Sequence, residues 1–159
     1  MAIDLTTIGV KVSWAVETTA GTRPTTGYKK FTGIKSTPDY NSAPETIETT
    51  TFDNLEYRSY TQGLKDQSDA KEYTANFTND FADQWEEFVQ AAETGEATNL
   101  RAWICQEVPG FDQAFYIPVV PSPLGFPAAE VAAVFEGSVY VTVVGEPVWG
   151  AAPTYADKE

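Results

Sequence analysis

Ala70–Ala92 reads AKEYTANFTNDFADQWEEFVQAA, and the chain changes period inside it. Over 70–78, Lys71, Tyr73, Ala75 and Phe77 fall on one face and Glu72, Thr74, Asn76 and Thr78 on the other. A period of two describes a strand, here with one largely apolar face and one polar face. After Thr78 the period becomes helical. Phe81, Trp85, Phe88, Val89 and Ala92 make one apolar stripe. Thr78 or Asn79 supplies an N-cap, and Asp80 and Asp83 lie in the first turn, where the helix dipole favours acids. Gly95 is the expected stop. A strand therefore runs directly into a helix spanning about 79–93.

Working outward, the other segments read as strands. Val10–Val16 and Tyr28–Ser36 flank a turn region, Ala20–Gly27, that holds two Gly and one Pro. Leu100–Val108 and Gln113–Val120 are joined by a turn at Pro109-Gly110. Val131–Val144 is long and mostly alternating, with Glu136, Ser138, Tyr140 and Thr142 on one face. Glu146–Glu159 contains Pro147, Gly150 and Pro153 and reads as an extended tail. Many strands and one helix predict a mainly β fold: an antiparallel β-sandwich or barrel-like domain over 1–145 with one packed α-helix, and then the tail.

Between the second strand and the helix lies a long polar excursion. Glu45–Thr51 is Thr-rich and reads as a third strand or as the base of an arm, because β-branched residues favour extended backbone. About twenty polar residues with a single Gly follow. Long excursions inside compact β domains are commonly functional or disordered. Phe52, Tyr57 and Tyr60 argue against disorder, so residues 41–69 are read as a protruding arm that finds its partner on another molecule. Its cations, Arg58 and Lys65, stand among Asp53, Glu56 and other acids, and are expected to pair with acids on that partner. Exposed ion pairs contribute only about 0–1 kcal/mol each. Phe52, Leu55, Tyr57 and Tyr60 are therefore expected to supply most of the contact energy.

Charge excludes one function class. The formal net charge is −13, and no Lys or Arg occurs from Ala102 to Asp157. Holding duplex DNA needs clustered cations that displace counterions from phosphates. An acidic surface repels DNA, which suits a conduit; acidity also simply keeps soluble proteins apart. The chain has no His, one Cys and one Met. No imidazole base and no Ser-His or Cys-His pair can exist. The usual Cys/His zinc sets are excluded, and no phosphate-cradling Gly-rich loop occurs. Asp53, Asn54 and Glu56 lack the ordered spacing of an EF-hand. The expectation is a protein that is not an enzyme and carries no metal or cofactor. Cys105 lies in an apolar run and should pack as a small hydrophobe. Trp14, Trp85 and Trp103 belong to periodic apolar segments and should be core. Trp149, in the tail, either anchors a neighbouring subunit or folds back on its own domain. MAIDLTTIGV has no basic segment before an apolar run, so it does not read as a signal peptide. No stretch of about 18 apolar residues occurs, so no membrane span is expected. The chain is expected to fold in the cytoplasm.

Several pieces in order carry a resemblance. MAIDLTTIGVKVSWAVETTAGTRPTTGYKKFTGIKSTPDYNSAPETIETT, then TQGLKD, then EYTANFTNDF, resemble the major tail tube proteins of long non-contractile-tailed bacteriophages, over most of the chain from Ala2 to about Gly145. The resemblance implies a virion tail protein, assembled in the host cytoplasm, that forms hexameric rings stacked into a tube through which DNA passes without specific binding. It implies tape-measure, terminator and tail-tip partners. Some tail tube proteins carry an additional C-terminal domain, and none is expected here. Sheets of neighbouring subunits would line the channel, making Glu72, Thr74, Asn76, Glu136, Ser138 and Thr142 candidates for its wall. The arm, with Phe52, Asp53, Leu55, Glu56, Tyr57, Arg58, Tyr60 and Lys65, becomes the candidate for ring stacking. An ordinary solvated sheet face shows the same alternation. Two other readings stay open: a tube subunit of a contractile injection system or gene-transfer particle, and a carbohydrate-binding β-sandwich.

Overall fold

A computed structural model describes residues 9–41, 44–53, 55–65 and 70–156. In chain order the elements are β1 (Lys11–Val16), β2 (Thr26–Lys30), β3 (Ile34–Ser36), β4 (Pro44–Glu48), β5 (Tyr60–Lys65), β6 (Lys71–Asn76), α1 (Asn79–Glu96), β7 (Ala102–Glu107), β8 (Ala114–Pro121), β9 (Glu136–Val143), β10 (Val148–Gly150) and β11 (Thr154–Tyr155). They divide between two compact units. One is Met1–Pro38 with Ala70–Glu159, and the other is Asp39–Asp69.

The larger unit is one curled sheet with a single helix, a mainly β, sandwich- or barrel-like fold. Its strand order is β11-β2-β1-β7-β8-β9-β6-β3, with β10 also on β8. Every pairing is antiparallel except β11 on β2. The period change at Thr78 occurs as expected. The Thr78 Oγ1 accepts the Phe81 amide at 3.2 Å, and α1 buries Phe81, Trp85, Phe88, Val89 and Ala92. These side chains meet the sheet at Trp14 and Phe31; Trp14 stacks on Phe88 with ring centroids 5.2 Å apart.

Gly95 is not the helix stop. The helix continues through it to Glu96, and Asn99 takes the left-handed conformation (φ 59°) that turns the chain. Gly95 is required for a different reason. A Cβ there would lie 2.8 Å from the Leu100 carbonyl oxygen and 2.9 Å from Val16 Cγ1.

The opposite face of the sheet holds a second core of Ala15, Tyr28, Trp103, Cys105, Ala114 and Tyr116. Two buried faces explain why Val12–Ala15 and Ala102–Cys105 are buried without alternation. Trp14, Trp85, Trp103 and Cys105 are all core, as expected. Burial pushes the Cys105 thiol up to about 12.

The segment expected to be an extended tail forms β10 and β11. β10 pairs with β8 and β11 with β2. The Ala156 amide donates to the Tyr28 carbonyl at 2.8 Å, and the Tyr116 hydroxyl donates to Ala151 O. Tyr155 packs against the second core.

The strand expected from Val131 starts only at Glu136. β6 ends at Asn76, opposite Glu136, and the ladder goes on by one bond, from the Phe77 amide to the Phe135 carbonyl at 2.8 Å. Ala132 adopts φ 60° and breaks the extended run.

A buried carboxylate ties the end of β1 to the start of β7. Glu17 Oε1 accepts the Arg101 amide at 2.9 Å and the Gly21 amide at 3.3 Å. Its Oε2 accepts Trp103 Nε1 at 2.9 Å and Arg101 Nε at 3.2 Å. Burial alone would raise its pKa. The bonds from Arg101, Trp103 and Gly21, with the Arg101 charge, outweigh burial and lower it.

The smaller unit is an antiparallel hairpin of β4 and β5, with Glu48 opposite Tyr60 and Thr46 opposite Gln62. The expected third strand is therefore half of this hairpin. The other half falls in what reads as polar excursion. Gly63 permits close approach of the two strands: a Cβ there would be 3.2 Å from Ile47 Cδ1.

Candidate functional site: a polar strand face and an exposed hairpin

The six channel-wall candidates belong to adjacent strands. Thr74 lies opposite Ser138 and Asn76 opposite Glu136, while Glu72 faces Tyr140. Thr142 continues the row opposite Val120 of β8. Their alternates, Tyr73, Ala75, Val139 and Val141, are buried. The register thus places Glu72, Thr74, Asn76, Glu136, Ser138 and Thr142 on one face of β6–β9, with the half-exposed Tyr140 among them. Sequence reasoning missed Lys35 on β3, which ion-pairs with Glu136. That pair neutralises one of the two acids of the face, and both partners are well exposed, so it adds little stability.

Cations elsewhere in the larger unit are also committed. Lys29 pairs with Glu87. Arg23 stacks over the Tyr116 ring at 3.9 Å, and Lys30 and Lys11 lie over Tyr155 at 4.5 and 5.8 Å. Arg101 holds Glu17 at 3.2 Å, and Lys71 is engaged as well. With these cations each in a contact, the surplus of acids dominates the charge that the described residues of the unit present to solvent.

In the hairpin unit, Phe52, Leu55, Tyr57, Tyr60 and Leu64 are 102%, 90%, 81%, 56% and 83% exposed, and Ile47 is half exposed. Asp53, Glu56 and Arg58 are exposed too. Arg58 Nε lies 3.9 Å from Glu48 Oε1 of the same hairpin, and both side chains are exposed. Lys65 closes β5. Asn54 lies outside the described residues. Ile47 and Leu64 were absent from the expected contact set; each sits in a strand whose two faces are both solvated, so no alternation marked it.

No protein-family model and no curated protein matches this sequence.

Trp149 is in β10, opposite Phe115. It packs on Phe115 and Phe111 with centroids 4.9 and 5.2 Å apart, yet stays 55% exposed. It therefore folds back on its own domain and still presents half its surface. Among the described residues no cluster of three metal-ligating side chains occurs. No helix among them is long and apolar enough to cross a membrane.

Proposed function

We propose that this chain is a structural tube subunit, assembling as hexameric rings that stack into a conduit for DNA in a phage tail. The observation that carries the reading is the hairpin unit. Six apolar side chains stand in solvent, Ile47, Tyr60 and Leu64 on the paired strands and Phe52, Leu55 and Tyr57 in the connection between them, an arrangement expected of a surface covered by another molecule. Two features support it further. The β6–β9 face presents hydroxyl, amide and carboxylate groups over a buried apolar layer, as a water-lined wall requires. The described cations of the larger unit are each already in a contact and are scattered rather than clustered, so among the described residues a passing duplex would meet no cluster able to grip phosphate.

On this reading the hairpin, through Phe52, Leu55, Tyr57 and Tyr60, docks on the adjacent ring. Glu72, Thr74, Asn76, Glu136, Ser138 and Thr142 face the channel, and Trp149 adds a subunit contact. The tape measure, terminator and tail tip would meet the tube at its ends. Electron microscopy of the purified protein over a concentration series tests this. Rings or tubes with an open centre are expected; compact particles without a channel at every concentration would refute it. The carbohydrate-binding alternative is disfavoured because Trp14, Trp85, Trp103, Tyr28, Tyr73 and Tyr116 are all buried.

A further inference from the structure

The segment after β10 crosses the sheet. β10 lies on the edge of β8 opposite β7, because Phe115 and Tyr116 pair with Trp149 and Val148 on one side and with Gln106 and Cys105 on the other. β11 lies on β2. Following the ladders from β10 to β11 takes five steps, through β8, β7, β1 and β2. Laid flat, five steps at about 4.8 Å each are roughly 24 Å. The chain makes the crossing from Gly150 to Thr154, which Cα spacings of about 3.8 Å limit to roughly 15 Å. The segment is therefore a chord across a curled sheet. The curl must persist for β10 and β11 to keep their partners at once.

Under the chord lies the second core. The Tyr116 hydroxyl donates to Ala151 O, Pro153 is buried, and Tyr155 packs against the core. The two ends are held unequally. At the first, Trp149 packs on Phe111 and Phe115. At the second, the ladder is two residues long, parallel, and irregular in register between Thr154 and Tyr155. Its bonds run from the Thr154 amide to the Thr25 carbonyl at 3.0 Å and from the Ala156 amide to the Tyr28 carbonyl at 2.8 Å. Tyr155 is the one large side chain there. Its hydroxyl donates to Glu107 Oε1, and Lys30 and Lys11 lie over its ring. Ala151, Ala152 and Thr154 are exposed. Where the crossing begins, Arg23 Nη1 is buried without a hydrogen-bond partner against Gly150, where a Cβ would approach it to 2.6 Å. A buried donor left unbonded is costly, and lifting the segment would admit water to it.

We infer that residues 151–156 are a releasable strap. It hinges at Gly150, with β10 still on β8, and opens while the rest of the sheet stays paired. Segments with few buried apolar contacts open at lower free energy than core strands. Opening frees the outer edge of β2, uncovers Tyr28 and Tyr116 around Cys105, hydrates Arg23 and removes the tie that holds the curl. The strap does not depend on the tube reading.

Hydrogen exchange and a disulfide lock test it, both in the full chain. β7 is flanked by β1 and β8, so its amides report opening of the sheet itself. The Thr154 and Ala156 amides should exchange at least about tenfold faster than those of β7. Tyr155→Ala should speed the strap amides roughly tenfold again, through the lost bond to Glu107, and leave the β7 amides unchanged. Strap and β7 amides exchanging at one shared rate, or accelerated equally by Tyr155→Ala, would overturn the inference. For the lock, Thr26→Cys is combined with Thr154→Cys. The two positions are register partners, and adjacent strands about 4.8 Å apart are within disulfide reach. Once these are oxidised, Cys105 is the only free thiol. Its labelling should be at least about tenfold slower than in the unsubstituted chain. Labelling at the unsubstituted rate would mean that the second core opens by another route, and would overturn the strap as its cover.

Discussion

Removing the Glu17 carboxylate should destabilise the larger unit severely, and the cost can be worked from its partners. Glu17→Ala leaves the Trp103 indole N–H and the Arg101 amide without their acceptor, having been bonded at 2.9 Å each. An orphaned buried donor costs about 1–3 kcal/mol. The Arg101 side chain is 37% exposed and can rehydrate, so the lost ion pair adds less than a fully buried one would. The sum is roughly 3 kcal/mol, a fall in Tm of about 6–12 °C for a chain of this size. Glu17→Gln should lose about 2 kcal/mol, because the amide oxygen serves one pair of donors while its NH2 confronts the other. The pH dependence has a definite sign. The folded-state pKa of Glu17 lies below its ordinary value of 4.5, so its contribution is complete above that value. It is lost as pH falls through the folded pKa. Urea melts of the three proteins at pH 7 and along an acid series measure this. A Glu17→Ala loss under about 1 kcal/mol, or a wild-type-to-Gln gap that persists undiminished in acid, would refute the reasoning.

Deleting Asn54–Gln62 should leave the β-sheet unit folded by circular dichroism but unable to polymerise; tubes of normal length would sink the stacking role of the hairpin. Gly95→Ala should cost about 1–3 kcal/mol in urea melts, because the new methyl meets the Leu100 carbonyl and Val16. Cys105 should resist a disulfide reagent near pH 8. Its raised thiol pKa, about 12, keeps it protonated there, and only opening of the second core should permit labelling, so the rate should rise steeply with urea. Lys35→Ala should change stability by less than about 1 kcal/mol, since its pair with Glu136 is exposed. It should also make the β6–β9 face more acidic, which electrophoretic mobility would report.

What was legible in the sequence had a strong single period. Residues 70–92 gave both the strand and the helix because one face of each is buried, so burial wrote its period into the residue pattern. The same alternation placed the polar face of β6 and β9 correctly, and the backbone register joined its two halves. β5 was illegible because Leu64 and Tyr60 are exposed and nothing in the hairpin sorts its residues into inside and outside. β10 and β11 were hidden by Pro147, Gly150 and Pro153, which signal irregular backbone even where short ladders form. Val131–Phe135 was read as strand because VAAVF satisfies apolar preference. Hydrogen-bond partners decide strands, and beside β6 the ladder reaches this segment only at the Phe135 carbonyl. Gly95 shows the converse error: a glycine near a helix end suggested a cap, while its missing side chain serves close packing.

The order β11-β2-β1-β7-β8-β9-β6-β3 also bears on how the chain acquires its structure. β1 sits between β2 and β7, with Val16 opposite Ala102, so the centre of the sheet joins distant parts of the chain. Within this sheet local pairing can begin at β1–β2, β7–β8 and β8–β9, whereas β6 pairs only with the distant β3 and β9 although α1 follows it directly. Loop closure must come before such distant pairs contribute, which makes folding slow for a chain of this length. Until β1 docks on β7, both carry unpaired edges that a second nascent chain could occupy. Refolding yield should therefore fall with protein concentration well before native subunits begin to associate.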